Sequence, residues 1–371
     1  MSALNSFHVT SLIRAKSDPS TLFPMLERSF GAHTGALGMI EILGVGSSVP
    51  AFAQARHTLL HGMRKLSHLP LDQLLKYSRP HTQYSVGWSR GVEGFSKNSV
   101  DFSKASFYAN AILDDPYPSL NPSDARKYSL FAHPNVWPDR EVPELRQAFD
   151  TVSRVMFAIG TQLSWLCDRY VATVAPGCDS LLGRMQQSFS HKGRILYYSN
   201  EKRNVNTARK NADSPLCGLH VDHCAFTGLL PSIYFDPSDP SIEVDHGKGL
   251  QILPYGSSDL ESVELEEDSI GFQIGETAQM LTYGVLRATP HSVQPLSTGD
   301  DNTTSPSRAS FALFMQPDPK YEIFLDDQFH DSVLKPNPNA PQELPDLRHR
   351  FSNGMTFAEF AERSFQEFSR K

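Results

Sequence analysis

Apolar residues between Pro143 and Val171 recur at Leu145, Phe149, Val152, Met156, Ile159, Leu163, Leu166 and Tyr170, at intervals of 4, 3, 4, 3, 4, 3 and 4. One stripe at the helical period over this length predicts an amphipathic helix of about seven turns. Val155, Phe157 and Trp165 widen the stripe beyond a coiled-coil seam, so the helix is expected to lie on a sheet. Past residue 190 the period shortens. Arg194–Tyr198, Leu219–Phe226, Ser232–Phe235, Gly249–Leu253, Ile270–Ile274, Val285–Thr289 and Ala309–Met315 read as short strands separated by turn-rich pieces. That pattern belongs to a β-sandwich or barrel.

The rest of the pattern is less regular. Residues 20–66 read as helix, strand, helix: Leu37–Val45 is a mostly apolar run, and a helix opens at Pro50 with Phe52, Leu59, Leu60, Met63 and Leu66 inward. Residues 80–140 look irregular yet carry many aromatics, among them Tyr84, Trp88, Phe95, Phe102, Phe107, Tyr108, Tyr117 and Trp137. Such a stretch either covers the core or forms a binding lid, and it suggests an aromatic-lined, partly apolar pocket. Ser297–Ser307 reads as a loop. At the end, Thr356 with Glu359 forms a capping box, Met355 and Phe360 a staple, and Phe357, Phe360, Ala361, Phe365 and Phe368 an apolar helix face. The expected layout is an N-terminal mixed region (1–140) and a C-terminal helix-plus-sheet core (141–371), in one compact unit.

Composition narrows the class. A net charge of −7 without any basic block argues against nucleic acid as a partner. Cys167, Cys178, Cys217 and Cys224 form no CxxC pair, which fits a reducing compartment rather than a disulfide scaffold. The N-terminus shows no signal pattern, and no apolar run is long enough for a membrane span. A soluble, cytoplasmic monomer is the expectation.

The candidate chemistry lies between Leu216 and Gln316. His220 and Asp222 are two apart, so on an extended segment their side chains share a face. A second imidazole, His291, would complete a two-His, one-carboxylate set that suits iron and leaves open positions. Seventeen residues later, Arg308 and Ser310 form another i, i+2 pair. A guanidinium fork with a neighbouring hydroxyl suits a carboxylate. His223 and His246 stand close enough in sequence to compete as ligands, although parity would turn His223 to the opposite face.

Taken in order, several segments resemble the isopenicillin-N-synthase-like branch of the Fe(II)- and 2-oxoglutarate-dependent oxygenases. They are Ala36–Val45, Asn135-Val136-Trp137-Pro138, Arg194–Tyr198, the His220/Asp222 strand, Gly249-Leu250-Gln251-Ile252-Leu253, the turn Gln273–Thr282, His291, and Arg308-x-Ser310. The resemblance spans most of the chain. It implies an α+β fold, a distorted double-stranded β-helix (jelly roll) flanked by helices. It further implies Fe(II) held by His220, Asp222 and His291, and 2-oxoglutarate held by Arg308 and Ser310 with help from Tyr198. The implied reaction consumes dioxygen and oxidises a small organic substrate, releasing succinate and carbon dioxide.

Three departures stand out. Leu196 replaces an Asn found in many relatives, Glu276 replaces the acid Asp of the turn, and the gap from His291 to Arg308 is long. Three other readings are compatible with the same residues: a 2-oxoglutarate-independent iron oxidase whose Arg/Ser pair holds the substrate's own carboxylate, a non-catalytic binding scaffold, and a zinc hydrolase. The last leaves Arg308 and Ser310 without a role.

Overall fold

The computed structural model describes residues 4–92, 94–96, 99–100, 103–199, 217–239, 241–244, 249–294 and 306–369. Its strands, in chain order, begin with Ser6–His8 (β1), Met39–Leu43 (β2), Gly87–Arg90 (β3), Gly94–Ser96 (β4), Ser99–Val100 (β5), Lys104–Asn110 (β6) and Lys192–Tyr198 (β7). Then follow Cys217–His220 (β8), Phe226–Leu229 (β9), Ile233–Phe235 (β10), Glu243–Val244 (β11), Leu250–Ile252 (β12), Glu261–Val263 (β13), Ser269–Ile274 (β14), His291–Val293 (β15) and Ser307–Met315 (β16).

A large sheet runs β1-β2-β14-β9-β16-β7-β6-β3, with β10 also on β16 and β11 on β10; a small sheet runs β13-β12-β15-β8. From β7 onward the chain passes repeatedly from one sheet to the other. This is the double-stranded β-helix, a jelly-roll arrangement in which closure of two facing sheets disposes of most edges. Residues before 140 extend both flanks of the large sheet: β2 pairs with β14 and β6 pairs with β7, both antiparallel.

The helix Glu144–Val174 lies behind the large sheet, and all eight residues of its predicted stripe are buried. Its approach is close because glycines face it. A Cβ on Gly193 of β7 would press into the Phe149 ring at 2.7 Å, and one on Gly160 of the helix would come within 2.9 Å of Met315 Cε. Helix Pro50–Ser67 packs beside it, and a continuous apolar core joins both helices to the sheet. At the C-terminus, Thr356 and Glu359 exchange the expected capping contacts, Thr356 N donating to Glu359 Oε2 at 2.8 Å and Glu359 N to Thr356 Oγ1 at 3.3 Å.

Four sequence expectations need correction. Leu219–Phe226 is not one strand: β8 ends at His220, the chain crosses between sheets at 221–225, and β9 starts at Phe226 in the other sheet. Apolar alternation runs through such a crossing and hides it. Val285–Thr289 is not a strand either. Leu286 and Ala288 are buried, but the backbone amides here donate to Phe30 O (2.7 Å from Arg287 N) and Gln279 Oε1 (3.0 Å from Ala288 N), not to a ladder. Residues 80–140 are not wholly irregular, since β3 pairs there with β6, and β6 in turn with β7. Nor do the described aromatics of this region wall the cavity that holds the candidate site. Ser297–Thr304, Ser305, His246 and Leu216 lie outside the described residues, as does Phe102; the side chains of Phe95 and Phe368 do too.

Lys192 of β7 carries a buried amine whose donor contact is Asn110 Oδ1 at 2.5 Å. Burial lowers its pKa from the ordinary 10.5 to about 7. Between those values the unfolded chain holds a proton that the folded chain does not, so stability should rise with pH through that window and flatten below it. At roughly 1.4 kcal/mol per unit of separation, a gain of about 3 kcal/mol is expected from pH 7 to 9.5. Urea midpoints should show this rise in the native protein and lose it in Lys192→Met; equal slopes would remove Lys192 as its source.

Candidate active site

Two sheets bring the sequence candidates into one cavity. In the small sheet, β8 and β15 are antiparallel and His220 stands directly opposite His291. Their rings lie 4.3 Å apart, centroid to centroid. Asp222 sits just beyond the end of β8, so period-2 alternation does not hold it in place. The helix Glu276–Leu281 does: Glu276 N donates to Asp222 O at 2.8 Å, Thr277 N to Cys224 O at 3.2 Å, and Gly275 N to Ala225 O at 2.9 Å. A helix start offers unsatisfied N–H groups, and here they hold the crossing loop. Gly275 is required because a Cβ there would lie 2.9 Å from Asp222 O.

The three side chains converge. Asp222 Oδ1 is 3.6 Å from His220 Nε2, and Asp222 Oδ2 is 3.8 Å from His291 Nε2. These separations exceed hydrogen-bond length. They suit atoms facing one shared ion at about 2 Å each. All three donor atoms lie within 4.8 Å of one another.

The outer contacts fit the same use. His220 Nδ1 donates to Gly218 O at 2.8 Å, which orients the ring so that Nε2 faces the centre. Thr227 Oγ1 donates to Asp222 Oδ2 at 2.5 Å. Gln273 Nε2 is 3.0 Å from His291 Nδ1, while Gln273 Oε1 is buried without a partner. Amide orientation is interchangeable. As placed, Gln273 Nε2 also donates to Thr289 O at 3.3 Å, so turning the amide over would give up that contact in exchange for an oxygen facing His291 Nδ1.

Charge states follow from the surroundings. Burial, with His220 alongside, lowers His291 to about 4, so the imidazole is neutral near pH 7. Burial works against the Asp222 carboxylate, but His291, His220 and Thr227 hold its pKa well below the usual range. Burial likewise opposes a charge on His220, yet Cys217 and Asp222 keep its pKa well above the ordinary value.

The large sheet supplies the second cluster. Arg308 pairs in register with Tyr198 on one side and Tyr234 on the other. Its guanidinium carbon lies 5.5 Å from the Tyr198 ring centroid and 6.0 Å from that of Tyr234, and its Nε donates to Ser232 Oγ at 3.0 Å. Ser310 shares the Arg308 face two residues along β16, opposite Leu196. His220, Asp222, His291, Tyr198, Arg308 and Ser310 all line one cavity of about 790 Å³.

Sequence reasoning missed several participants. Tyr234 and Ser232 flank Arg308; the alternation of Ser232–Phe235 puts these two on one face. Thr227 and Gln273 touch Asp222 and His291. Arg194, two positions before Leu196 on β7, also lines the cavity, stacked 4.9 Å from the Tyr108 centroid and donating to Ser106 Oγ at 2.7 Å. None of the described residues of 80–140 lines this cavity; its rings are Tyr198, Tyr234, Phe311 and Phe314. Aromatics in the earlier region pack inward instead, as Phe107 does on Trp137 at 5.7 Å. His223 points away from the triad into the C-terminal helix, 5.1 Å from Phe365 and 6.0 Å from Phe357.

Solved structures share the double-stranded β-helix fold over nearly the whole chain. A protein from Caulobacter crescentus assigned to the 2OG-Fe(II) oxygenase family is 16% identical, covers 99% of this chain and 99% of its own, and has a TM-score of 0.65. A full-length Neurospora crassa protein, solved in complex with alpha-KG and 5-formyluracil, is 15% identical with 99% and 96% covered and a TM-score of 0.65. The rice dioxygenase for auxin oxidation is 14% identical with 98% and 95% covered and a TM-score of 0.58. No family model matches the sequence, and no curated relative does.

Proposed function

We propose that this protein is a non-haem iron oxidoreductase that uses 2-oxoglutarate and dioxygen to oxidise a small organic substrate. The observation that carries this reading is a single cavity with a His-Asp-His cluster on the small sheet and an Arg-Ser-Tyr cluster on the large one. His220, Asp222 and His291 would hold Fe(II), and Arg308, Ser310 and Tyr198 would hold the far carboxylate of 2-oxoglutarate. Bound there, iron and the keto acid would supply activation of dioxygen, two of its four electrons coming from oxidative decarboxylation of 2-oxoglutarate to succinate and carbon dioxide and two from the substrate.

The chain's own residues orient and desolvate. Arg308 offers a bidentate fork, and the Tyr198 and Tyr234 rings wall it from water. Ser310 adds a hydroxyl beside it. Leu196 opposite Ser310 presents apolar surface where many relatives of the resembled branch carry Asn, so the keto acid rests on fewer polar contacts there. Four unpaired cysteines support a reducing, cytoplasmic setting. No helix of the described residues is long and apolar enough to cross a membrane. A monomer is the proposed working unit.

The test is an anaerobic titration of 2-oxoglutarate into Fe(II)-loaded protein, followed by visible absorption. A saturating charge-transfer band is expected. Iron binding without a band would replace this reading with the oxidase that holds its substrate's own carboxylate at Arg308; failure to bind iron would leave a binding scaffold. Arg308→Met should raise the 2-oxoglutarate dissociation constant at least roughly 30-fold, since truncating one side of a buried charge pair costs about 2 kcal/mol or more. Iron affinity should stay unchanged. An unaltered 2-oxoglutarate affinity would remove Arg308 from the site.

A further inference from the structure

On the outer side of the large sheet, a second convergent cluster joins helix Pro50–Ser67 to β11. His57 and His61 are four residues apart on that helix and therefore share a face. Their rings stack at 4.1 Å with 24° between planes. Both Nε2 atoms reach the same oxygen of Glu243: Oε1 is 2.9 Å from His57 and 2.6 Å from His61. The three donor atoms lie within 4.8 Å of one another. Phe235 of β10 stands edge-on to the His61 ring at 5.1 Å and 90°, so the imidazole rests against a fixed wall. A second cavity of about 500 Å³ opens here, bordered by His57, His61, Arg64, Lys65, His68 and Glu144. Lys65 is paired to Glu144 at 3.2 Å, which reduces the positive charge facing the cluster.

We propose that His57, His61 and Glu243 form a second metal site, selective for a zinc-class divalent ion and separate from the His220 cluster. Both imidazoles and the carboxylate already converge on one point, and a divalent ion would replace the 2.6 and 2.9 Å N···O contacts by accepting both Nε2 lone pairs and the carboxylate together. Two imidazoles at i, i+4 on a helix with one carboxylate from elsewhere make a three-ligand set with a water position left over. Imidazole-rich, half-exposed sites of this kind favour Zn²⁺, Co²⁺, Ni²⁺ or Cu²⁺ over Mg²⁺ and Ca²⁺.

The position gives the site a consequence. Glu243 and Val244 of β11 also line the larger cavity, and β11 pairs with β10, whose Tyr234 pairs with Arg308. An ion bound outside would therefore pin the β10–β11 hairpin, one wall of the cavity, to the helix beneath.

Co²⁺ is the probe, titrated into full-length, tag-free, metal-free protein carrying Asp222→Ala and His291→Ala, so the inner cluster cannot contribute. One equivalent should bind, with the intense visible absorption of a low-coordinate N/O site, and Zn²⁺ should displace it. Adding His57→Ala and His61→Ala should weaken Co²⁺ binding at least roughly 100-fold, and adding Glu243→Gln alone at least about tenfold. Zn²⁺ should raise the melting temperature of the first protein by more than that of either of the other two. No Co²⁺ binding to the Asp222→Ala/His291→Ala protein would overturn the proposal, as would binding indifferent to the His57, His61 and Glu243 changes. These results are independent of whether the inner site takes iron and 2-oxoglutarate, because every protein in the series lacks that site.

Discussion

His291→Ala is expected to abolish specific Fe(II) binding and reduce turnover to background while leaving the fold intact. Loss of a partner outside the metal's immediate ligands already costs roughly 10- to 100-fold in affinity, so loss of a ligand should cost at least about 100-fold. His291 is buried, lies opposite His220 in the ladder and touches Gln273, yet alanine keeps its backbone pairing to both β8 and β12. Asp222→Ala should lose iron binding alike. In the metal-free state His291→Ala should cost little stability, because burial penalises its imidazole, whereas Asp222→Ala should cost more, because the depressed Asp222 pKa contributes stability and His220 loses its carboxylate partner. The signature is thermal: Fe(II) should raise the melting point of the native protein by mass action and leave both variants unmoved. A variant that unfolds outright would instead make these residues part of the fold's stability. One that retains iron at native affinity would remove it from the ligand set.

The second large effect is on stability. Arg350→Met should destabilise the protein by about 3–5 kcal/mol, because it leaves Glu276 buried and unpaired. Arg350 is 1% exposed; its Nη1 donates to Glu276 Oε2 at 2.8 Å and to Ser364 Oγ at 2.8 Å, and its Nη2 also contacts Glu276. Burial raises the Glu276 carboxyl pKa above its ordinary value, with Arg350 opposing, so the ion's stability depends on this partner. Glu276 also begins the helix whose amides hold Asp222 and Cys224. The cost should therefore appear both as a lower urea midpoint and as weaker iron affinity. Replacing both partners, Glu276→Met with Arg350→Met, should recover most of the stability, since the pair exists chiefly to satisfy itself. If the double variant is no more stable than Arg350→Met, the loss comes from packing of the C-terminal segment and not from the stranded carboxylate.

The Glu276 contact qualifies one sequence-level expectation. Glutamate in place of aspartate at the turn looked like a minor change, yet the longer side chain reaches Arg350, a residue 74 positions away. It links the loop that carries Asp222 to the C-terminal helices. Likewise, His223 beside the triad is turned from it, but strand parity is not the cause. Residues 221–225 cross between sheets, and His223 falls among Phe357, Phe360 and Phe365 because the crossing loop meets that helix.

By itself the sequence determined the long helix, the capping box, most strands after residue 190 and the family-like order of His220, Asp222, His291, Arg308 and Ser310. The helix, the cap and the strands are local, since a 3.6-residue period, a four-residue cap and period-2 alternation follow from backbone geometry that a short window contains; the order of the five site residues rests on resemblance instead. Tertiary structure alone decided the rest. The register β10-β16-β7 set Tyr234 beside Arg308, and helix-start amides rather than a strand held Asp222 in place. Helix–strand packing brought Glu243 to His57 and His61 across 182 and more residues. Each of these depends on which strand meets which, and such pairings carry no short-range signal. The buried connection Val285–Thr289 and the paired strands within 80–140 were misread for the same reason, because burial and hydrogen-bond partners belong to the assembled sheet and not to the segment.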